Sequence, residues 1–289
     1  MTRYVAVLGV LFLALLAPPA LWESAAQQED PLEGITPDLE SEELRIRSYE
    51  DRLLRQIQEE TPFRNSALVP GEKLVFSVRF GPLRAGEATL EIREIVQHSK
   101  GPAYRLVSKA QSNSFVSSFY RVDDHVESLM DVNFLFSRYF EKHLREGQYR
   151  ADRTVIMDQE NHLAVYVEDS LTVEMPPRAH DILTAFYYVR TMALEVGDTL
   201  RLDSHVDHKN YPIEVFVHKR ETVEVPAGTF RCFMIEPRVV EGALFKQKGK
   251  LWIWLTDDPR RIPVLMKSEI PVGSIDAVLV DVEGRPLEG

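Results

Sequence analysis

Alternation with a period of two dominates the chain from residue 73 onward. Leu74, Phe76, Val78 and Phe80 stand between Val75, Ser77 and Arg79, and after the stretch 81–86 the alternation resumes at Ala88, Leu90 and Ile92. Successive strand side chains point to opposite faces, so this pattern predicts a hairpin with one buried face. The stretch between holds Gly81-Pro82 and Gly86, residues that favour turns. Further strands are expected at 103–111, 119–130, 136–147, 150–158 and 162–169, then at 199–208, 212–225, 229–240, 247–256, 262–270 and 275–283. Their connections are short and carry Gly, Pro, Asn or Asp, as in Val225-Pro226-Ala227-Gly228. Such spacing predicts a mainly β fold, a large curved antiparallel sheet or unclosed β-barrel.

Two segments keep a helical period instead. In 181–194, Ile182, Ala185, Phe186, Val189 and Met192 share one face, with Tyr187 and Tyr188 turned aside. Asp181 is placed to cap this helix after Pro176-Pro177, and Gly197-Asp198 is placed to end it. One amphipathic helix among many strands is expected to lie across the apolar, concave face of the sheet. Upstream, Ile46, Tyr49, Leu53, Leu54 and Ile57 recur at helical spacing behind Ser41, predicting a short N-terminal helix.

Charge sharpens the division of the chain. Residues 27–72 hold twelve acids against five arginines, which is most of the net −11. We therefore read an acidic, partly helical arm at 27–72 and a single β domain at 73–289. Ahead of them, Arg3, the apolar run Val5–Ala17, Pro18-Pro19 and the small residues Ser24-Ala25-Ala26 form a secretory signal layout over 1–26. The run is shorter than the roughly 20 residues of a membrane-spanning helix. No cysteine sits where an acylated lipoprotein needs one, because Cys232 is the only one and lies in an apolar strand. It is expected to be buried and inert, without disulfide or multi-thiolate zinc chemistry. An acidic chain with pI near 5.3 does not suit nucleic acid.

Several strings occur in a set order: Gly71-Glu72-Lys73-Leu74, Gly81-Pro82-Leu83-Arg84-Ala85-Gly86-Glu87-Ala88, Asp181 through Arg190, Pro226-Ala227-Gly228-Thr229-Phe230, Leu251 through Asp258, Arg261-Ile262-Pro263-Val264 and Gly273-Ser274. Together they resemble the bacterial family called domain of unknown function 3108, over roughly residues 70–284. The resemblance implies an exported or envelope-associated Gram-negative protein of curved antiparallel β architecture, and no particular activity. In layout alone the chain is also similar to lipoprotein carriers of the Lol type, a likeness of architecture that transfers no function.

Candidate chemistry is sparse. The sequence contains no Gly-x-Ser-x-Gly elbow, phosphate-binding loop or Gly-x-Gly-x-x-Gly. Asp203, His205 and Asp207 would share a strand face with His208 opposite, but neighbours along a face stand about 7 Å apart, so a solvated polar face and no metal site is expected, with His205 and Asp207 as the alternative ligands. Adjacent acids such as Asp123-Asp124 point to opposite faces and form no dyad by themselves. Asp257 and Asp258 read as a turn before Pro259, with a ligand role as the alternative. Trp252 and Trp254 share a face of an apolar strand and either pack the core or line a pocket. Phe186 and Val189 carry the same two readings. The expectation is therefore an exported, non-enzymatic protein without a cofactor, binding a lipid, acyl chain or lipoprotein in the concavity. The competing expectation is a solid-core envelope module whose acidic arm recruits a protein partner. An envelope hydrolase using Asp257, Asp258 or His205 ranks third.

Overall fold

The computed structural model describes residues 66–239, 250–270 and 273–284. The expected signal segment, the expected N-terminal helix and most of the acidic arm lie outside the described residues. Ala67 and Leu68 are already buried in the core, and Glu72 opens the first strand, so the body reaches upstream of residue 73.

Fourteen strands form one antiparallel sheet. The first eight are β1 (Glu72–Phe80), β2 (Leu83–His98), β3 (Gly101–Ser112), β4 (Asp123–Asp131), β5 (Ser137–Glu146), β6 (Tyr149–Asp158), β7 (Leu163–Tyr166) and β8 (Leu171–Glu174). The remainder are β9 (Thr199–Val206), β10 (Lys209–Val225), β11 (Gly228–Val239), β12 (Lys250–Thr256), β13 (Pro263–Ile270) and β14 (Gly273–Glu283). Each strand pairs with its neighbour in sequence except across the middle, where β1 pairs with β14; β8 and β9 are therefore the two edges. Two helices are described, α1 (Ser114–Ser117) and α2 (Ile182–Thr191).

The sheet curls because its longest strands carry bulges. Register shifts fall at Ile92/Glu94 between β2 and β3 and at Val217/Lys219 between β10 and β11. Each adds local twist and bends the strand. Curling brings the edges together without a ladder between them. The segment before α2 spans the gap: His180 N–H donates to Asp203 O (3.0 Å), and His205 N–H donates to His180 O (2.9 Å). Gln159 Nε2 donates to Ala179 O (3.0 Å) on the other side, and Asn210 Nδ2 donates to Glu174 O across the seam. Covered edges leave fewer free backbone groups for pairing with another chain.

Asp181 caps α2 as the sequence predicts, accepting from the N–H groups of Leu183 and Thr184. The helix ends earlier than expected, with Met192 as its C-cap rather than a stop at Gly197. It is also more deeply buried than one amphipathic face requires. Tyr187 is fully buried rather than turned aside, and its ring meets Phe186 edge-on at 5.7 Å. Arg190 is buried too, paired with buried Glu72 (2.8 Å) and donating to the carbonyls of Ala67 and Arg260. This pair closes one end of the barrel-like body.

Three local expectations fail. Residues 83–86 belong to β2, so the first hairpin turn is only Gly81-Pro82. The expected strand 119–130 begins at 123, because α1 and its exit fill the preceding stretch. The expected strand 162–169 is only Leu163–Tyr166 (β7), and after a turn a further strand, β8, that the pattern does not predict runs over Leu171–Glu174.

Candidate functional site

An apolar cavity lies between α2 and the sheet. Ile182, Ala185, Phe186 and Val189 form its helical wall, opposite Leu202, Ile213, Val215, Ile253 and Met266 among the strand residues. All of its lining residues are apolar. The cavity has a volume of about 50 Å³. A space of that size exceeds the roughly 10–15 Å³ that one water needs, but a dry lining offers water no partners. Its walls on β10, β11 and β12 come from the halves of those strands nearest the end where β11 runs toward β12.

The other half of the concave face is polar. Asp181 is fully buried and accepts from Ser128 Oγ (2.9 Å) and Ser137 Oγ (2.5 Å) besides the two helix amides. Burial holds its carboxyl above the usual carboxylate range despite these bonds, which favour the ionised form. Tyr166 Oη meets His205 Nε2 at 2.9 Å and accepts from His208 N–H at 2.6 Å, while His205 Nδ1 meets Asn210 Oδ1 at 2.6 Å. The set is self-consistent when Nδ1 of His205 carries the proton and Tyr166 donates to Nε2. Burial lowers the His205 pKa and keeps the ring neutral.

Nearer the rim of this half, buried Lys142 reaches Asp207 at 2.7 Å. Beyond it, Asp124 and Glu146 are both buried and interact directly, and Asp124 Oδ1 also accepts from Arg145 N–H (2.7 Å). Burial raises both carboxyls, and with Asp124 beside it Glu146 is pushed up to about 8. Burial and the neighbouring Asp124 charge both favour the protonated form of Glu146.

A family model for proteins of unknown function, DUF3108, matches residues 75–280. The chain belongs to the DUF3108 family. Among solved structures, a β-barrel-like protein of another family of unknown function, DUF1849, from Brucella abortus superposes with a TM-score of 0.53 at 9% identity, over 75% of this chain and 98% of that one. The likeness is one of fold. A Bacteroides fragilis protein assigned as exported, with a YmcC-like fold, aligns with a TM-score of 0.35 at 14% identity, over 76% of this chain and 98% of its own. A Parabacteroides distasonis protein assigned as a lipoprotein aligns with a TM-score of 0.34 at 10% identity, over 75% and 96%. No curated protein matches the sequence significantly. Among the described residues, no helix is long and apolar enough to cross a membrane.

The sequence-predicted site of this DUF3108 chain does not come together as one site. Phe186 and Val189 do line the cavity. Trp252 and Trp254 do not, because Leu251 and Ile253 take the inward positions of β12. On the outer face Trp254 donates its indole N–H to Glu221 (2.7 Å), and Lys250 lies over the Trp252 ring. Asp257 and Asp258 sit at the opposite end, between β12 and β13. Asp257 is ringed by Arg220, Arg231 and Arg261 at 3.3–3.5 Å, and Asp258 accepts from the N–H groups of Arg260 and Arg261 as a turn residue.

The metal candidates are also separated. His205 points into the interior with both ring nitrogens engaged, whereas Asp207 lies in the β9–β10 turn at φ +46° and is held by Lys142. Cys232 is buried, and its thiol is pushed up to about 12, chiefly by burial. The Asp124–Glu146 pair is not legible in the sequence. Residue-by-residue alternation separated Asp124 from Asp123, as the structure does, but could not place it beside an acid on β5.

Proposed function

We propose that this protein is an exported, non-enzymatic component of the bacterial envelope that holds an acyl chain or a similar hydrophobic ligand between α2 and strands β9–β13. The carrying observation is the all-apolar cavity on the inner face of an unclosed sheet. Its dry space is small, so a chain of more than a few carbons enters as half-buried Phe186 swings away from the wall. The polar groups elsewhere support binding over catalysis. His205 is neutral and engaged at both nitrogens, Asp257 is clamped by arginines, and Asp258 braces a turn. None of them borders the cavity.

Native mass spectrometry of the mature chain from a bacterial periplasm, with organic extraction, tests this reading. A co-purifying acyl species is expected. Phe186→Glu should abolish it, whereas Trp254→Glu, on the outer face, should leave it in place. An apo mass together with no uptake of added fatty acid overturns the proposal. That outcome favours a solid-core module, the reading that the deep burial of Tyr187 and Arg190 would then serve.

A further inference from the structure

The antiparallel order places the β1–β2 turn, the β3–β4 connection with α1, and the β5–β6 turn at one end of the sheet. The pairings Phe80 with Ile275, Lys250 with Glu269 and Ile213 with Val239 carry the same end across to the half that holds the cavity. The apolar space lies in the strand halves nearest this rim. The Glu72–Arg190 pair closes the other end.

This rim exposes large apolar side chains. Phe80 and Leu83 flank the first hairpin turn, and Tyr149 opens β6. Phe115 and Phe119 are each 63% exposed, with ring centroids 5.7 Å apart in an edge-on arrangement. They are held in place. Val116 is buried beneath α1, Asn113 accepts from Val116 N–H (2.9 Å), and its Nδ2 donates to Arg84 O (2.6 Å). Two glycines make this packing possible. A Cβ at Gly86 would overlap the Gln111 carbonyl, and one at Gly147, where φ is +55°, would overlap the Tyr120 ring. Around the aromatics stand exposed Arg79, Arg84, Arg121 and Arg150; Arg84 pairs with Glu87 (3.8 Å), Arg121 with Asp123 (2.9 Å), and Arg79 lies opposite Asp276 in the ladder with β14. On a chain of net charge −11 these turns gather four exposed arginines beside the aromatic rings.

We propose that this rim docks on a phospholipid bilayer bearing anionic headgroups. Aromatic rings flanked by arginines suit the membrane interface, where the rings enter the headgroup–acyl boundary and the guanidinium groups meet phosphate. The bilayer would deliver or receive the acyl chain at the cavity, a role that rests on the acyl-binding reading above. The Asp124–Glu146 pair keeps one carboxyl neutral directly behind the rim, which lessens repulsion from an anionic surface.

Two readouts on the full mature chain separate the proposals. Co-sedimentation with vesicles of phosphatidylethanolamine and phosphatidylglycerol reports docking, and uptake of a fluorescent fatty acid from vesicle-free solution reports the cavity. The wild-type chain is expected to sediment with these vesicles. Phe115→Ser combined with Phe119→Ser should lower the bound fraction at least tenfold, with melting temperature and fatty-acid uptake unchanged. Arg84→Glu with Arg121→Glu should weaken binding to anionic vesicles and flatten its salt dependence. Vesicle binding that survives the Phe pair unchanged overturns the docking proposal. So does an absence of binding by the wild-type chain, an outcome that assigns the rim to a protein partner. Vesicle binding without fatty-acid uptake fails the cavity reading and leaves docking standing.

Discussion

The two halves of the concave face solve the problem of filling a curled sheet in opposite ways. Strands β9–β14 meet α2 through apolar side chains and leave a dry cavity between them. Strands β4–β8 enclose a smaller apolar cluster of Phe140, Val155, Met157 and Tyr166, and beside it stand hydrogen-bonded polar groups such as Asp181 with Ser128 and Ser137, and Tyr166 with His205. Hydrogen bonds are directional and lose most of their value when a partner shifts, so the polar half holds one arrangement. Apolar contact is tolerant of small movements, and the half built from it is where a ligand can be exchanged. The helix belongs to both. Its capping residue is anchored among Ser128 and Ser137, and its outer turns face the cavity.

Breaking the part common to both halves has the largest expected effect. Arg190→Met leaves Glu72 buried without its partner, and should lower unfolding free energy by about 3–5 kcal/mol in a urea titration. Asp181→Ala removes the cap and strands two serine hydroxyls, for a loss of about 2–3 kcal/mol. Fatty-acid uptake should weaken with it, because the helix wall loses its anchor; uptake at wild-type affinity would separate the two halves functionally.

The acid pair predicts a pH dependence whose sign is fixed by its raised pKa. The folded chain retains a proton on Glu146 up to about 8, whereas the unfolded carboxyl loses it near 4.5. Its stabilising contribution is thus full below pH 4.5 and is lost as pH rises toward 8. Glu146→Gln should flatten that fall, gaining roughly 3–5 kcal/mol, from the pKa difference, over the wild type at pH 8. Parallel thermal melts at pH 5 and 8 check it, and equal slopes in the two chains would show that the pair is not protonated.

The smallest change sharpens the contrast from the apolar side. Ala185→Val adds two carbons toward the cavity and should stabilise the chain by about 0.5–1.5 kcal/mol while reducing fatty-acid uptake. The same Ala→Val change at Ala164, in the close-packed opposite cluster, should destabilise it instead.

Much of this architecture is carried by local pattern. Period-two alternation marks the hairpins, Gly and Pro punctuate most turns, and an Asp ahead of an apolar helical stripe marks the start of α2. These signals are legible because strand pleat, turn geometry and helix capping each depend on residues only a few positions apart. The tertiary structure alone decided the rest. Strand parity puts Trp252 and Trp254 on one face, but β12 is apolar on both, so only packing against α2 shows that the inward face is that of Leu251 and Ile253. The partners Glu72–Arg190, Asp124–Glu146 and Tyr166–His205 are joined across sequence separations of 118, 22 and 39 residues by a sheet that curls at its bulges. The gathering of Phe80, Phe115, Phe119 and Tyr149 on one rim has the same origin. They sit at three separate turns, Phe115 and Phe119 sharing the β3–β4 connection, and antiparallel pairing places alternate turns at the same end.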